Sequence, residues 1–517
     1  MKKFLILLFS LLLVFALVSC GDDGNDENNE NNNQNNGENG GENGGENGGE
    51  QTPGEGETPP NDDGGDDSGN SGDNGNGGET PTPPPQVGLN PQAVKDALGT
   101  SMNVFTNDLA FTNTDSYIQD TTLVNVANIA TGDKYEIKEA GVYRITGTND
   151  NARIYVNADG KNIILIFDNL NLSCSSGYPT VFVEKCKETR IVLKNGTENT
   201  LTDARNNGEN GVLRVKKGDL TISGTGTLNI TANKKYAISN TKTLTIAGGT
   251  YNITSVEHGI YGKEGLRING GIFNINAQKA GFKSGDDNAN STTEAPEPGS
   301  VIINSCNASI TSGTDGINCY GDVTINGGKI VVNAGGNGID AQASLPEIPV
   351  GDKSYSAGNT TIQGGVLVLN TEKNAIKVDG DVSVTSNASV KIVAIGNGIE
   401  GNNVTISTTG VIYIQTYYTF DEDETGKYVL INGEYVFDEN FEQRGIRYSR
   451  RECRGIEATE TISVEGGTIG ISSYDDCFNA NTSITVTGGT LTLNTAKDTF
   501  DAPSMPELEG QNVTVIE

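Results

Sequence analysis

The stretch LTIAGGTYNITSVEHGIYG, residues 244–262, holds one unit of a pattern that runs from Leu244 to Asp501. It reads as a short strand (LTI), a Gly-Gly bend, a second strand (TYNI), a loop and a third small strand within HGIYG. The third strand recurs with one apolar anchor per unit: Ile238, Ile260, Phe282, Ile317, Ile339, Ile376, Ile399, Ile456, Phe478 and Phe500. Successive anchors are 22, 22, 35, 22, 37, 23, 57, 22 and 22 residues apart. A fixed step with occasional longer ones marks a solenoid whose coils carry inserted loops. Three short strands per coil, with period-two alternation and no helical spacing, predict an all-β chain, a right-handed parallel β-helix. Stacked coils about 4.8 Å apart would lay Ile over Ile as a continuous core. The Gly-Gly pairs at 248–249, 270–271, 327–328, 364–365, 466–467 and 488–489 fall at one corner, where positive φ or close backbone approach is expected.

Outside the repeat, composition divides the chain. Lys2 and Lys3 precede an apolar run, Phe4–Val18, too short to span a bilayer and laid out as a secretory signal over 1–19. Leu17-Val18-Ser19-Cys20 resembles the lipobox of bacterial lipoproteins, with Cys20 as the lipidated residue and the only membrane attachment. Residues 20–86 are mostly Asn, Gly, Glu, Asp and Pro with no Lys or Arg, which predicts a disordered spacer. The expected location is the bacterial cell envelope, lipid-anchored at the cell surface.

Residues 87–122 are expected to cap the solenoid. NPQAVKDAL (90–98) reads as a helix with Asn90 capping and Pro91 in first position, suited to cover an open apolar end. The β-helix is expected over 123–517, less regular up to about residue 200, with an insert at 415–453.

The block GVYRITGT…IYVNADGKNIILIFDNLNLSC…VEKCKETRIVLKNGTENTLTD, followed by coils ending in DGIN, NGID and GIEG, resembles a bacterial family. It is the carbohydrate-binding domain-containing family of right-handed parallel β-helices, similar to pectate lyases, and the likeness covers about 120–505. The resemblance implies calcium-dependent binding of acidic plant polysaccharide, polygalacturonate above all, with binding ranked ahead of cleavage.

The charges narrow the chemistry independently. The chain carries 67 Asp and Glu against 35 Lys and Arg, a net charge of −32, which excludes the basic face a nucleic-acid binder needs. His258 is the sole histidine, so His-based nucleophilic catalysis and His-rich metal sites are excluded. The six cysteines after Cys20 form no CxxC pair. Cys174 with Cys186 is the most plausible disulfide, yet buried thiols are the better expectation.

The residue after each anchor should face solvent: Tyr261, Lys283, Asn318, Asp340, Lys377, Glu400, Glu457, Asn479 and Asp501. Two before the anchor, Asn337, Asn374 and Asn397 read as a side-chain amide ladder. Glu400 and Glu457 should be direct neighbours, like charges that call for a cation or an Arg between them. Asp475, Asp476 and Asp498 form a second acidic group, and Asp286, Asp287 and Asp315 a third. Carboxylates with turn carbonyls are ligands calcium prefers, at about six to eight oxygens per ion. These residues with Asp340 are the candidate calcium ligands.

A lyase would also need a base, for which Lys377 and Lys283 are the candidates, although flanking carboxylates favour a charged lysine. The insert gathers Tyr417, Tyr418, Arg444, Arg447, Arg450 and Arg451 as candidate sugar contacts, and a hairpin packed on the helix is the equal alternative. The reading is thus a monomeric surface lipoprotein that binds acidic polysaccharide with calcium. A weak pectate lyase and an adhesive solenoid are the alternatives.

Overall fold

The computed structural model describes residues 89–106, 121–286 apart from 205, 207 and 210, 299–341, 358–417, 427–431, 434–438 and 453–516. The signal 1–19, Cys20 and the spacer 20–86 lie outside the described residues, as do Asp287, Tyr418, Arg444, Arg447, Arg450 and Arg451.

The strands form a parallel β-helix with three faces. Thr243–Ile246, Thr250–Ser255 and Ile260–Gly262 are one coil, and each pairs in parallel with its equivalent in the next: Gly265–Ile268, Ile272–Ala277 and Phe282–Ser284. All ten anchors stand over one another in register, from Ile238↔Ile260 to Phe478↔Phe500. They are buried in one continuous core, where Tyr251 stacks on Phe273 at 4.9 Å and Phe478 on Phe500 at 5.2 Å. The stretch expected to be less regular already belongs to the same stack. Thr122–Asn125 pairs with Gly141–Asn149, which pairs with Asn162–Cys174.

The second glycine of each Gly-Gly pair has positive φ, from 81° at Gly365 to 125° at Gly271. At Gly328 the constraint is also contact, since a Cβ there would meet the Cys306 carbonyl oxygen at 2.2 Å. The six cysteines after Cys20 are buried, and none is in a disulfide.

The helix forms as expected but in another place. Pro91–Leu98 (α1) is capped by Asn90, whose side chain accepts from Ala93 N at 2.9 Å. Instead of closing an end, α1 and the following 3-10 turn Gly99–Phe105 lie along the outside of the second face, on the C-terminal coils. Val94, Leu98 and Phe105 pack on Val366, Val368 and Tyr413, apolar side chains at outward positions of this part of the face. Asn90 N also donates to Asn494 Oδ1 at 2.5 Å. Gly470 makes the docking possible: a Cβ there would stand 2.6 Å from Leu98 Cδ1 and 2.8 Å from Val94 Cγ1.

Gly470→Val is therefore expected to lift α1 while keeping the coils stacked. Hydrogen exchange should show lost protection over 91–98 and retained protection in the core strands. Unchanged protection over 91–98 would contradict this packing account.

Candidate functional site

The third face carries the chemistry. Most of its strands are three residues long, as in Ile339–Ala341 and Ile376–Val378, so such a coil presents one outward side chain. The row reads Arg214, Ser239, Tyr261, Lys283, Asn318, Asp340, Lys377, Glu400, Glu457, Asn479 and Asp501, each in register with the next.

Alongside it, at the turn, runs the amide ladder. Asn397 N donates to Asn374 Oδ1 at 3.0 Å, Asn374 N to Asn337 Oδ1 at 3.2 Å and Asn337 N to Asp315 Oδ1 at 2.8 Å. Arg454 N extends it onto Asn397 Oδ1 at 3.0 Å. The rungs join side chain to backbone, so each side chain's other polar atom is released toward the row. Asn337 Nδ2 donates to Asp340 Oδ2 at 3.2 Å, and Asn397 Nδ2 to Glu400 Oε2 at 3.3 Å. Asn374 reaches the same Glu400 oxygen, and Asn397 also reaches Glu457.

Glu400 and Glu457 are direct neighbours, as expected. Their repulsion is answered by protein groups: Lys377 Nζ lies 3.2 Å from Glu400 Oε1, and Arg454 Nη1 lies 2.5 Å from Glu457 Oε1. The Asp475–Asp476–Asp498 group is also dispersed among basic partners. Lys497 Nζ is 3.0 Å from Asp475 and 3.3 Å from Asp476, Arg454 Nε is 3.6 Å from Asp476, and Asp498 contributes its backbone N–H to Asp476. Asp286 pairs with Lys263 at 3.6 Å, while Asp315 is bound by Asn318 and Asn337. Among the described residues, no three His, Cys, Asp or Glu side chains are grouped to hold a metal ion.

One acidic place on the row is incomplete. Asp315 and Asp340 are bridged by Asn337, and Asp340 Oδ1 is buried with no hydrogen-bond partner. Burial first, and the Asp315 charge second, push the Asp340 carboxyl up to about 6; burial also raises Asp315. Two carboxylates, one of them with an orphan oxygen, are a partial fit to calcium, which would take its remaining oxygens from ligand or water.

The basic candidates are engaged. Lys377 holds Glu400, and Lys283 Nζ donates to Asn318 at 2.7 Å while sitting 4.4 Å from the Tyr320 ring centroid. Tyr417 is buried, so it offers no face to a sugar. Tyr155 and Phe182 (5.9 Å apart), Arg214, Tyr236, Tyr261 and Lys283 come together on the early coils of the third face. The anchor rule would have found Phe182 and Arg214 had it been carried back to Val181 and Leu213, which stand in register with Ile238. On the second face a shallow groove over Asn229, Asn252, Thr254, Asn274 and Asn276 is lined by amides, hydroxyls and isoleucines and holds no charged group.

A family model described as carbohydrate-binding domain-containing protein matches residues 131–386 and 355–499. A carbohydrate-binding domain-containing protein of Acetivibrio thermocellus is 30% identical over 129 residues, 23% of this chain and 43% of that protein. The chain thus matches less than half the length of this relative. A solved structure of the polysaccharide lyase-like protein from C. thermocellum, a gadolinium derivative, aligns with a TM-score of 0.40 and 22% identity. That alignment covers 47% of this chain and 98% of the other.

The Asp340 geometry sets a pH dependence. Its folded value of about 6 lies above the ordinary 3.8, so the folded state holds the proton longer than the unfolded chain. The associated stability is fully present below about pH 4 and is lost as pH rises through about 6. Asp340→Asn should therefore raise the melting temperature at pH 7, by on the order of 1–2 kcal/mol of stability, and give no gain at pH 4. An equal effect at both pH values would contradict the assignment.

Proposed function

Because the chain belongs to the family of carbohydrate-binding domain-containing proteins, we propose that its β-helix binds an extended acidic polysaccharide of the polygalacturonate type. The supporting observation is the outward row of the third face, which repeats one polar or charged side chain per coil along the solenoid axis. A polymer lying along that axis meets a periodic surface. Calcium enters the proposal at Asp315 and Asp340, where a uronate carboxylate and water would complete the oxygen shell begun by the orphan Asp340 oxygen. Lipidation at Cys20 would display the domain at the cell surface, with the spacer 20–86 holding it off the membrane.

Binding, rather than β-elimination, is the favoured reading because neither candidate base is available in place. Lys377 is held in an ion pair with Glu400, and Lys283 by Asn318. The protein is expected to bind polygalacturonate in calcium and to lose most affinity in chelator, with little ultraviolet-absorbing unsaturated product. Calcium should also raise the melting temperature more at pH 7 than at pH 4.5, where protons compete for the two carboxyls. Robust product formation that vanishes in Lys377→Ala or Lys283→Ala would reverse the ranking of binding over cleavage. Binding only to proteins or unrelated envelope glycans would favour the adhesive reading.

The Arg-rich insert is the second proposed contact. Replacing Arg447, Arg450 and Arg451 together by Ala should weaken polygalacturonate binding about tenfold or more, about 1.4 kcal/mol, at little cost to the melting temperature. Unchanged affinity would confine the sugar to the coils.

A further inference from the structure

Arg214 stands at the basic end of the row, and it too is incompletely satisfied. Its side chain is nine-tenths buried, with the residue 7% exposed. Nη1 donates to Ser239 Oγ at 3.2 Å, while Nε is buried with no hydrogen-bond partner. The nearest carboxylate oxygen, Glu209 Oε2, lies 4.0 Å from Nε, beyond hydrogen-bond reach, and the other Glu209 oxygen pairs with Lys216 at 3.4 Å. Aromatic rings stand next to the guanidinium. Tyr261 is two coils along in register, and Tyr236 packs 5.2 Å from both Tyr261 and His258. Burial pushes the His258 imidazole down to about 3, and its Nδ1 accepts from Ala280 N, so it adds no charge to the cluster.

A planar guanidinium with an orphan donor matches a carboxylate, which accepts two parallel N–H bonds. An adjoining aromatic wall suits the apolar face of a sugar ring. We propose that Arg214, Ser239, Tyr236 and Tyr261 form a subsite for the carboxylate of one hexuronate residue, loosely occupied in the free protein by the Glu209 carboxylate. The inference rests on the acidic-polysaccharide reading and gives the track a polarity. One uronate is pinned by Arg214, the next coils pass Lys283, and the calcium-assisted contact follows at Asp340. Glu209 acts as an internal competitor, so an acidic ligand must displace it.

The test is titration calorimetry of the whole protein with a galacturonate oligomer and with its carboxyl-reduced, neutral counterpart. Glu209→Gln, which leaves the core untouched, should tighten binding of the acidic oligomer several-fold and leave the neutral one unchanged. Arg214→Gln should weaken the acidic oligomer about tenfold or more, and Arg214→Lys should recover only part of that loss. Melting curves check that each variant is folded. If Arg214→Gln unfolds the chain, the Glu209→Gln comparison decides alone. Unchanged affinity in folded Arg214→Gln, or no tightening in Glu209→Gln, overturns the subsite while the wild-type affinity still supports the broader reading. No binding of the acidic oligomer by the wild type would overturn both.

Discussion

Register between coils is the constraint on which everything else rests. Parallel backbone hydrogen bonds fix each residue over its equivalent in the neighbouring coil, so the fold repeats whatever the sequence places there. For the anchors this is favourable, because Ile over Ile and Phe over Phe make a continuous buried core. For charges it is hazardous, because carboxylate would lie over carboxylate. The turn ladder offsets that hazard: Asn337, Asn374 and Asn397 each spend the side-chain oxygen on a backbone N–H of the next coil. The amide N–H is thereby turned toward Asp340, Glu400 or Glu457, where it satisfies the charge.

The same constraint shapes function. A row of side chains at fixed spacing along an axis is a poor pocket for a small molecule but a good partner for a polymer with its own repeat. Its composition drifts, with arginine, tyrosine and lysine on the early coils giving way to carboxylates and amides on the later ones. An acidic polymer therefore meets direct cationic contacts at one end. At the other it needs a bridging cation, most plainly at Asp340, where an oxygen is buried without a partner.

What could be read in the sequence was what repeats. The anchors, the positive-φ glycines, the Asn ladder and the Glu400–Glu457 adjacency all follow from counting along coils. What could not be read was contact between segments far apart in the chain. The helix carries good capping signals, but its docking place depends on Gly470 and Tyr413, more than three hundred residues away, which together leave a hollow fitted to Val94 and Leu98. Two of the basic partners of the carboxylates, Lys377 and Lys497, become partners only once the coils stack, whereas Arg454, three residues before Glu457, is a local one. Arg214 was missed for a simpler reason: its coil precedes the recognisable Gly-Gly bends, so the anchor count began too late.

The central claim is that the outward row of the third face is where polysaccharide lies. Hydrogen exchange of the protein with and without polygalacturonate in calcium tests it most directly, because the three faces give separate peptides. The account predicts added protection over Phe282–Ser284, Ile317–Cys319, Ile339–Ala341 and Ile376–Val378 and their flanking turns. Protection confined to the Asn- and Thr-lined groove of the second face, over Thr227–Ala232, Thr250–Ser255 and Ile272–Ala277, would contradict it.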